Sequence, residues 1–170
     1  MRWRPAYVGI GSNLDHPETQ VRGALSSLST LPATRLVRAS PLYGSRPFGP
    51  VRQPPYVNAV AALLTQQELP AFFAALRTLE HRLGRVRPRE RWGPRIIDLD
   101  LLVFSQEQLQ SPDLTLPHPG IVQRNWVLYP LRDVAPELSV PGCGPVRLLA
   151  SRVGSAGIWR LNDDTTRHGA

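Results

Sequence analysis

The sequence contains no lysine: all 20 of its basic residues are arginine, and against 13 acids they leave a formal charge of +7. A P-loop needs a Lys that reaches the phosphates, and Schiff-base chemistry needs a Lys amine, so both are excluded. Phosphate binding is not excluded, because guanidinium grips phosphate bidentately. The single cysteine, Cys143, rules out an intramolecular disulfide and any cysteine-based zinc cluster. Four scattered histidines, His16, His81, His118 and His168, give no zinc spacing. No stretch approaches the roughly 20 apolar residues that span a bilayer. The basic start, Met1 to Pro5, is not followed by an apolar run and cleavage site, and a cytoplasmic protein is expected.

What remains has the composition of a folded chain, 42% apolar and 19% charged over 170 residues. That length fits one domain spanning 1–170 with a sizeable core. Ala6 to Ile10 reads as a strand ending in the turn Gly11-Ser12-Asn13. Pro17 suits the first turn of a helix, whose apolar stripe is Val21, Leu25, Leu28 and Leu31. Leu36 to Tyr43 reads as a second strand, and Gly44 to Pro55, rich in Pro and Gly, as a loop of functional length. Tyr56 to Leu64 is a third strand. Glu68 to Leu83 is a helix with one apolar face, stopped by Gly84. Ile96 to Phe104 is an apolar strand interrupted only by Asp98 and Asp100.

The order βαββαβ is the split βαβ of ferredoxin-like folds. The expectation is therefore an α+β protein with that core, an added C-terminal α/β segment, and helices packed on a mainly antiparallel sheet. One helix is expected near 119–128. The residues after about Ser151 have weak periodicity and are expected to form a partly disordered tail.

Four constellations carry chemistry. Asp98 and Asp100 lie two apart on a strand, so both carboxylates share a face. Mg²⁺ is commonly held by one or two such carboxylates together with substrate phosphates. From spacing alone, a solvent-facing or Arg-paired couple of acids fits as well. Residues 85–95 hold five Arg and one Glu, which is +4 of the chain's +7, and they lead directly into the aspartate strand. Arg clusters beside a metal site clamp transferring phosphoryl groups, although charge runs also serve as plain solvated loops. The aromatics and amide from Ser45 to Asn58 suit a flat heterocycle, since rings stack and an Asn both donates and accepts. The same residues are also ordinary in loop packing. Leu116-Pro117-His118-Pro119 with Arg124 and Trp126 is the fourth group.

Together these residues resemble the 6-hydroxymethyl-7,8-dihydropterin pyrophosphokinase family. The resemblance runs from about Tyr7 to Leu138. Its landmarks are Gly-Ser-Asn-Leu at 11–14, Gly-Pro…Gln-Pro-x-Tyr-x-Asn at 49–58, Glu80 with Leu-Gly-Arg-x-Arg at 83–87, Arg-Trp-Gly-Pro-Arg-x-x-Asp-x-Asp at 91–100, and Pro-His at 117–118 with Arg124. It implies transfer of a diphosphate from ATP, the co-substrate, to a pterin alcohol. It also implies two Mg²⁺ ions on Asp98 and Asp100, and catalytic roles for Arg85, Arg87 and Arg95. Glu80, Arg85, Arg87, Trp92, Arg95, Leu101, Leu114, Thr115, His118 and Arg124 would attend the nucleotide. Ser45, Pro47, Phe48, Tyr56, Asn58, Asp98 and Trp126 would hold the pterin. The loops near 44–55 and 84–95 would be lids. Ser45, Trp126, Arg77, Pro88 and Pro119 depart from the family pattern, the first two conservatively.

The implied partners are two small molecules, with no nucleic acid or membrane, and a monomer is expected. Two rival readings remain: a basic nucleic-acid-binding domain, argued from charge alone, and a metal-dependent phosphodiesterase built on the same Asp pair.

Overall fold

A computed structural model describes residues 1–47, 49–84 and 93–162. Alternation along β1 (Arg4–Ser12) sends Ala6, Val8 and Ile10 into the core. Helix α1 (Pro17–Leu28) begins with Pro at its first turn, where a missing N–H costs nothing, and buries Val21, Ala24, Leu25 and Leu28. Leu31 is buried as expected, but from the turn after the helix, where N–H groups reach back three residues.

The expected strand Leu36–Tyr43 is two strands, β2 (Thr34–Ala39) and β3 (Tyr43–Ser45). Both pair with β4 (Tyr56–Thr65). Pro41 has no N–H for the ladder, and Ser40 bridges the break: its hydroxyl accepts from the Val60 N–H at 2.9 Å and donates to the Pro41 carbonyl at 2.8 Å. Gly44 and Ser45, expected in the loop, therefore belong to a strand. Helix α2 (Leu69–Arg82) buries Phe72, Leu76 and Leu79 and is followed by Gly84 at φ +97, the left-handed conformation Gly adopts without strain. Strand β5 (Asp98–Phe104) follows.

Beyond it come two short hairpins, β6 (Leu109–Gln110) with β7 (Thr115–Leu116), and β8 (Ser139–Val140) with β9 (Gly144–Pro145). The helix expected at 119–128 is displaced towards the C-terminus. A 3₁₀ turn at Ile121–Gln123 comes first, Arg124 is extended, and α3 runs over Asn125–Val134. The apolar stripe Leu128, Leu131, Val134 sets that register. A further helix, α4 (Val146–Val153), was not expected. Nor is the tail disordered as far as it is described: β10 (Ile158–Arg160) pairs with β3. Residues 163–170 lie outside the described residues.

The main sheet has six strands in the order β10-β3-β4-β1-β5, with β2 alongside β3 on the same edge of β4. Every pairing is antiparallel. The central β5-β1-β4-β2 order is the expected ferredoxin-like core. Helices α1 and α2 cover one face over Val8, Ile10, Ala61 and Leu101. Helices α3 and α4 cover the other over Val60, Ala62 and Leu102. The second layer stops short of the ends of β1, β4 and β5 that carry Gly11, Asn58 and Asp98, and the site opens there.

Candidate active site

The alternation that buries Leu99 and Leu101 under α2 turns Asp98 and Asp100 to the opposite face. In register, Asp98 lies opposite Gly11 and Asp100 opposite Gly9 on β1. Gly11 in turn faces Asn58 on β4, and Asn58 faces Tyr43 on β3. Polar side chains thus flank a strip that has no side chains. A Cβ at Gly11 would sit 3.6 Å from the Asn58 Oδ1, so this glycine is the floor of the space between Asn58 and Asp98. That space is a cavity of about 270 Å³, closed on the far side by Arg124 and Trp126 at the start of α3.

The amide of Asn58 is fixed. Its Nδ2 donates to the Ser45 Oγ at 2.8 Å and to the Tyr43 carbonyl at 3.4 Å, leaving Oδ1 towards the cavity floor. Asn13, 1% exposed, ties the surrounding loops. It exchanges backbone and side-chain hydrogen bonds with Arg95, at 3.0 Å to the carbonyl and 2.8 Å from the N–H, and its amide donates to Gln53 and to the Pro54 carbonyl. The Tyr56 hydroxyl donates to the Gly93 carbonyl at 3.4 Å. The segments on either side of the cavity mouth therefore converge on one buried residue.

A second cavity of about 210 Å³ adjoins the first. Phe73 and Arg77 of α2, Leu101 of β5, and Leu114, Thr115 and Pro119 wall it. The two cavities meet at Asp100 and His118, which line both. His118 Nδ1 accepts from the Gly120 N–H at 3.1 Å, so the neutral ring carries its proton on Nε2, which faces the Asp100 Oδ2 at 3.9 Å. Burial, and then the Arg124 guanidinium, lower the His118 pKa to about 4, so the ring is neutral at physiological pH.

Asp98 is paired with Arg95, Nη1 to Oδ2 at 2.8 Å. Asp100 is not relieved in this way. Burial in the cleft, and then the Asp98 carboxylate, push its pKa up to about 7. A buried carboxylate whose ionisation is opposed by its neighbour fits a hard divalent cation, which would offset the repulsion. Among the described residues, no third Asp, Glu, His or Cys completes a closed ligand set. A cation held by this pair would need further ligands from elsewhere, such as phosphate oxygens or water.

The structure brings together most of the expected residues. Ser45, Tyr56, Asn58, Arg95, Asp98, Asp100, His118, Arg124 and Trp126 line the larger cavity, and Leu101, Leu114, Thr115, Asp100 and His118 the smaller. Pro47 lines neither. Glu80 also lines neither: it is 5% exposed under β5, where its Oε2 accepts from the Leu99 N–H at 2.6 Å and its Oε1 pairs with Arg77 at 3.1 Å. Arg77 donates to the Leu99 carbonyl. Phe48, Arg85, Arg87 and Trp92 lie outside the described residues. Sequence reasoning did not assign Gly9, Gly11, Arg46 or the tying role of Asn13. The signal for the glycines was their alternate spacing on a strand, which leaves one face bare.

The model of the 7,8-dihydro-6-hydroxymethylpterin-pyrophosphokinase family matches residues 7–136. The chain belongs to this family. The 2-amino-4-hydroxy-6-hydroxymethyldihydropteridine pyrophosphokinase of Pseudomonas aeruginosa is 46% identical over 155 residues, covering 91% of this chain and 95% of that protein. Its counterpart in Haemophilus influenzae is 39% identical over 157 residues, covering 92% and 98%. Among solved structures, a Plasmodium falciparum HPPK-DHPS variant superposes with TM-score 0.71 at 13% identity. That match covers 94% of this chain but 49% of the other, so this chain spans about half of that protein's length, and at this identity the likeness concerns the fold alone. Among the described residues, no helix is long and apolar enough to cross a membrane.

Proposed function

We propose that this pyrophosphokinase-family chain moves the terminal diphosphate of ATP to the hydroxymethyl oxygen of 6-hydroxymethyl-7,8-dihydropterin, giving AMP and the pterin diphosphate. The observation that carries this assignment is the junction of two cavities at Asp100 and His118. A reaction that joins two bound molecules needs two adjoining compartments and charge-handling groups at their border.

The larger cavity suits the pterin. Asn58 presents an acceptor over the glycine floor, and Tyr56 and Trp126 add aromatic rings to its lining. The smaller suits the nucleotide, with Leu101, Leu114 and Thr115 as its walls. Asp98 and Asp100 would hold two Mg²⁺ ions, which would supply Lewis-acid polarisation of the acceptor hydroxyl and charge neutralisation for the phosphates. Arg95 neutralises Asp98 and keeps the first carboxylate oriented. Arg124 adds positive charge to the wall of the larger cavity, and Gly120 makes room for it: a Cβ there would lie 2.6 Å from the Arg124 Nε. His118 is held as a neutral donor from Nε2 and can hydrogen-bond a phosphate oxygen crossing the junction. Arg85 and Arg87 are assigned to the same phosphate chain. The acceptor is an alcohol and the work is positioning and charge neutralisation, so no strong general base is required.

The test is a reaction of ATP, Mg²⁺ and the reduced hydroxymethylpterin followed by phosphorus NMR. AMP and pterin diphosphate are expected in equal amounts. ADP as the main nucleotide product, or phosphate released without the pterin, would overturn the assignment.

A further inference from the structure

The two walls of the larger cavity come from different layers. Ser45 and Arg46 follow from β3 in the sheet, while Trp126 and Val127 sit on α3 above it. Residues 154–161, which lie beyond the part of the chain matched by the family model, bond to both. On the sheet side, β10 pairs Ile158 with Ser45, Trp159 with Gly44 and Arg160 with Tyr43. The Arg46 N–H donates to the Gly157 carbonyl at 3.1 Å, and the Leu161 N–H to the Leu42 carbonyl at 2.9 Å. On the helix side, the buried Asn125 amide donates to the Gly154 carbonyl at 3.0 Å and the Ala156 carbonyl at 2.8 Å.

Two details show that these contacts are specific. Asn125 spends both amide protons on this segment, one residue before Trp126. The Trp159 ring packs against Gly44: a Cβ there would meet the ring at 2.2 Å, so the strand next to Ser45 is shaped to accept it. An indole laid over a cross-strand glycine supplies the packing that the glycine lacks.

We propose that residues 154–161 form a strap that sets the gap between the Ser45 and Trp126 walls, with Asn125 and Trp159 as positioning residues for the pterin. The proposal rests on the assignment of the larger cavity to the pterin. Neither residue lines either cavity. Their effect passes through Ser45, which fixes the Asn58 amide, and through Trp126. The nucleotide cavity is lined by residues of α2 and β5 and residues from 111–119, and none of residues 154–161 lines it.

The experiment compares Asn125→Asp, Trp159→Ala and Trp159→Phe with the wild-type chain. Asn125→Asp sets carboxylate oxygens against two carbonyls. Trp159→Ala bares an edge strand whose indole is already 42% exposed, so it keeps the test alive if the buried substitution does not fold. Three quantities are read: amide exchange over 43–46, pterin Kd by calorimetry with a non-hydrolysable ATP analogue present, and Kd of that analogue alone. Faster exchange over 43–46 and a pterin Kd weaker by about tenfold are expected, the loss attached to one or two hydrogen bonds. The analogue's Kd should stay within about twofold, and Trp159→Phe should recover most of the pterin affinity. An unchanged pterin Kd despite faster exchange, or equal losses for both ligands, would overturn the proposal. Wild-type protein that binds the analogue but no pterin would instead sink the assignment of the cavity, while the exchange data would still decide whether the strap holds the walls.

Discussion

The larger cavity rests on the middle of the sheet, and the smaller one on its margin. Under the larger cavity, β3, β4, β1 and β5 are hydrogen-bonded in register, and Asn58, Gly11 and Asp98 form one row across them. Ladder bonds fix those positions, so a side chain can change there without moving its neighbours. The smaller cavity leans on the outer edge of β5, where the ladder ends. There the Leu99 N–H and carbonyl are satisfied by Glu80 and Arg77 of α2 instead of by another strand. One cavity has its geometry set by backbone, and the other by a pair of side chains. Substitutions should accordingly separate: loss of ligand affinity alone in the first, and loss of stability together with function in the second. Asp98 and Asp100 belong to the strand that both share.

The largest effect is expected where the two meet. Asp100→Asn should lower kcat by about 10²-fold or more, because the junction loses the charge proposed to hold the metal. Its effect on stability has the opposite sign. In the metal-free protein the folded-state pKa of Asp100 is raised from 3.8 to about 7. The folded chain therefore holds a proton that the unfolded chain releases, and stability falls as pH climbs from about 4 to about 7. Asp100→Asn removes that loss. Metal-free melting curves should show the variant more stable than wild type above about pH 7.5 and nearly equal to it at about pH 4. A variant that is less stable at both would show that the carboxylate is not under strain.

On the marginal side, Glu80→Ala removes the acceptor of a buried N–H and the partner of Arg77. A cost of about 1.5–3 kcal/mol is expected, read as a drop of roughly 2–4 °C in Tm for each kcal/mol. Activity should fall with it, because Leu99 lies between the two aspartates. Full stability with lost activity would assign Glu80 to the nucleotide directly, as the family resemblance implies, and would break the contrast.

Much of this division was legible in the sequence, and what was not has physical causes. Period-two alternation placed Asp98 and Asp100 on one face, and period-3.6 stripes found α1 and α2. The βαββαβ order gave the core because each of those elements carries its own apolar pattern. The second layer was harder. Residues 119–134 hold three prolines and glycines at 119, 120 and 130, and these interrupt the local pattern while tertiary packing of Leu128, Leu131 and Val134 decides the helix. Strand β10 has only three residues, too short for a period, and exists because β3 offers an edge. Pairing of that kind is non-local and leaves no local trace. Glu80 shows the same limit: the family resemblance implied a place for it near the nucleotide, but only the fold shows that it bonds the Leu99 backbone and lines neither cavity.

On the backbone-set side, Asn58→Ala should weaken pterin binding by about 1–3 kcal/mol and leave ATP-analogue affinity and Tm nearly unchanged. The ring edge then loses its acceptor while the ladder on either side of Asn58 stays intact. An unchanged pterin Kd, measured by calorimetry with the analogue present, would remove this residue from the pterin site. A large fall in Tm would mean that the Asn58–Ser45 bond carries the strand as well.

The smallest change in pterin binding, and the sharpest test of the contrast, is Gly11→Ala. Gly11 lies inside β1 at ordinary strand dihedrals, and glycine there costs conformational entropy, so alanine should stabilise the chain by about 0.5–1 kcal/mol. Space is sufficient: the nearest atoms to the added Cβ are the Asn58 Oδ1 at 3.6 Å and the Tyr56 Cδ1 at 3.8 Å, both at ordinary contact distance. Gly9, two residues earlier, is less tolerant, since a Cβ there meets Leu102 Cδ2 at 3.3 Å and Leu102 is packed in the second core. The methyl on Gly11 points into the floor on which the pterin is placed, so it competes with the ring for that surface. Thermal melting should move up while the pterin KM rises several-fold and the ATP KM stays as it was. A rise in Tm with unchanged pterin KM would show that the ring does not lie on β1. A fall in Tm would show that the middle of the sheet is as dependent on its side chains as the margin is.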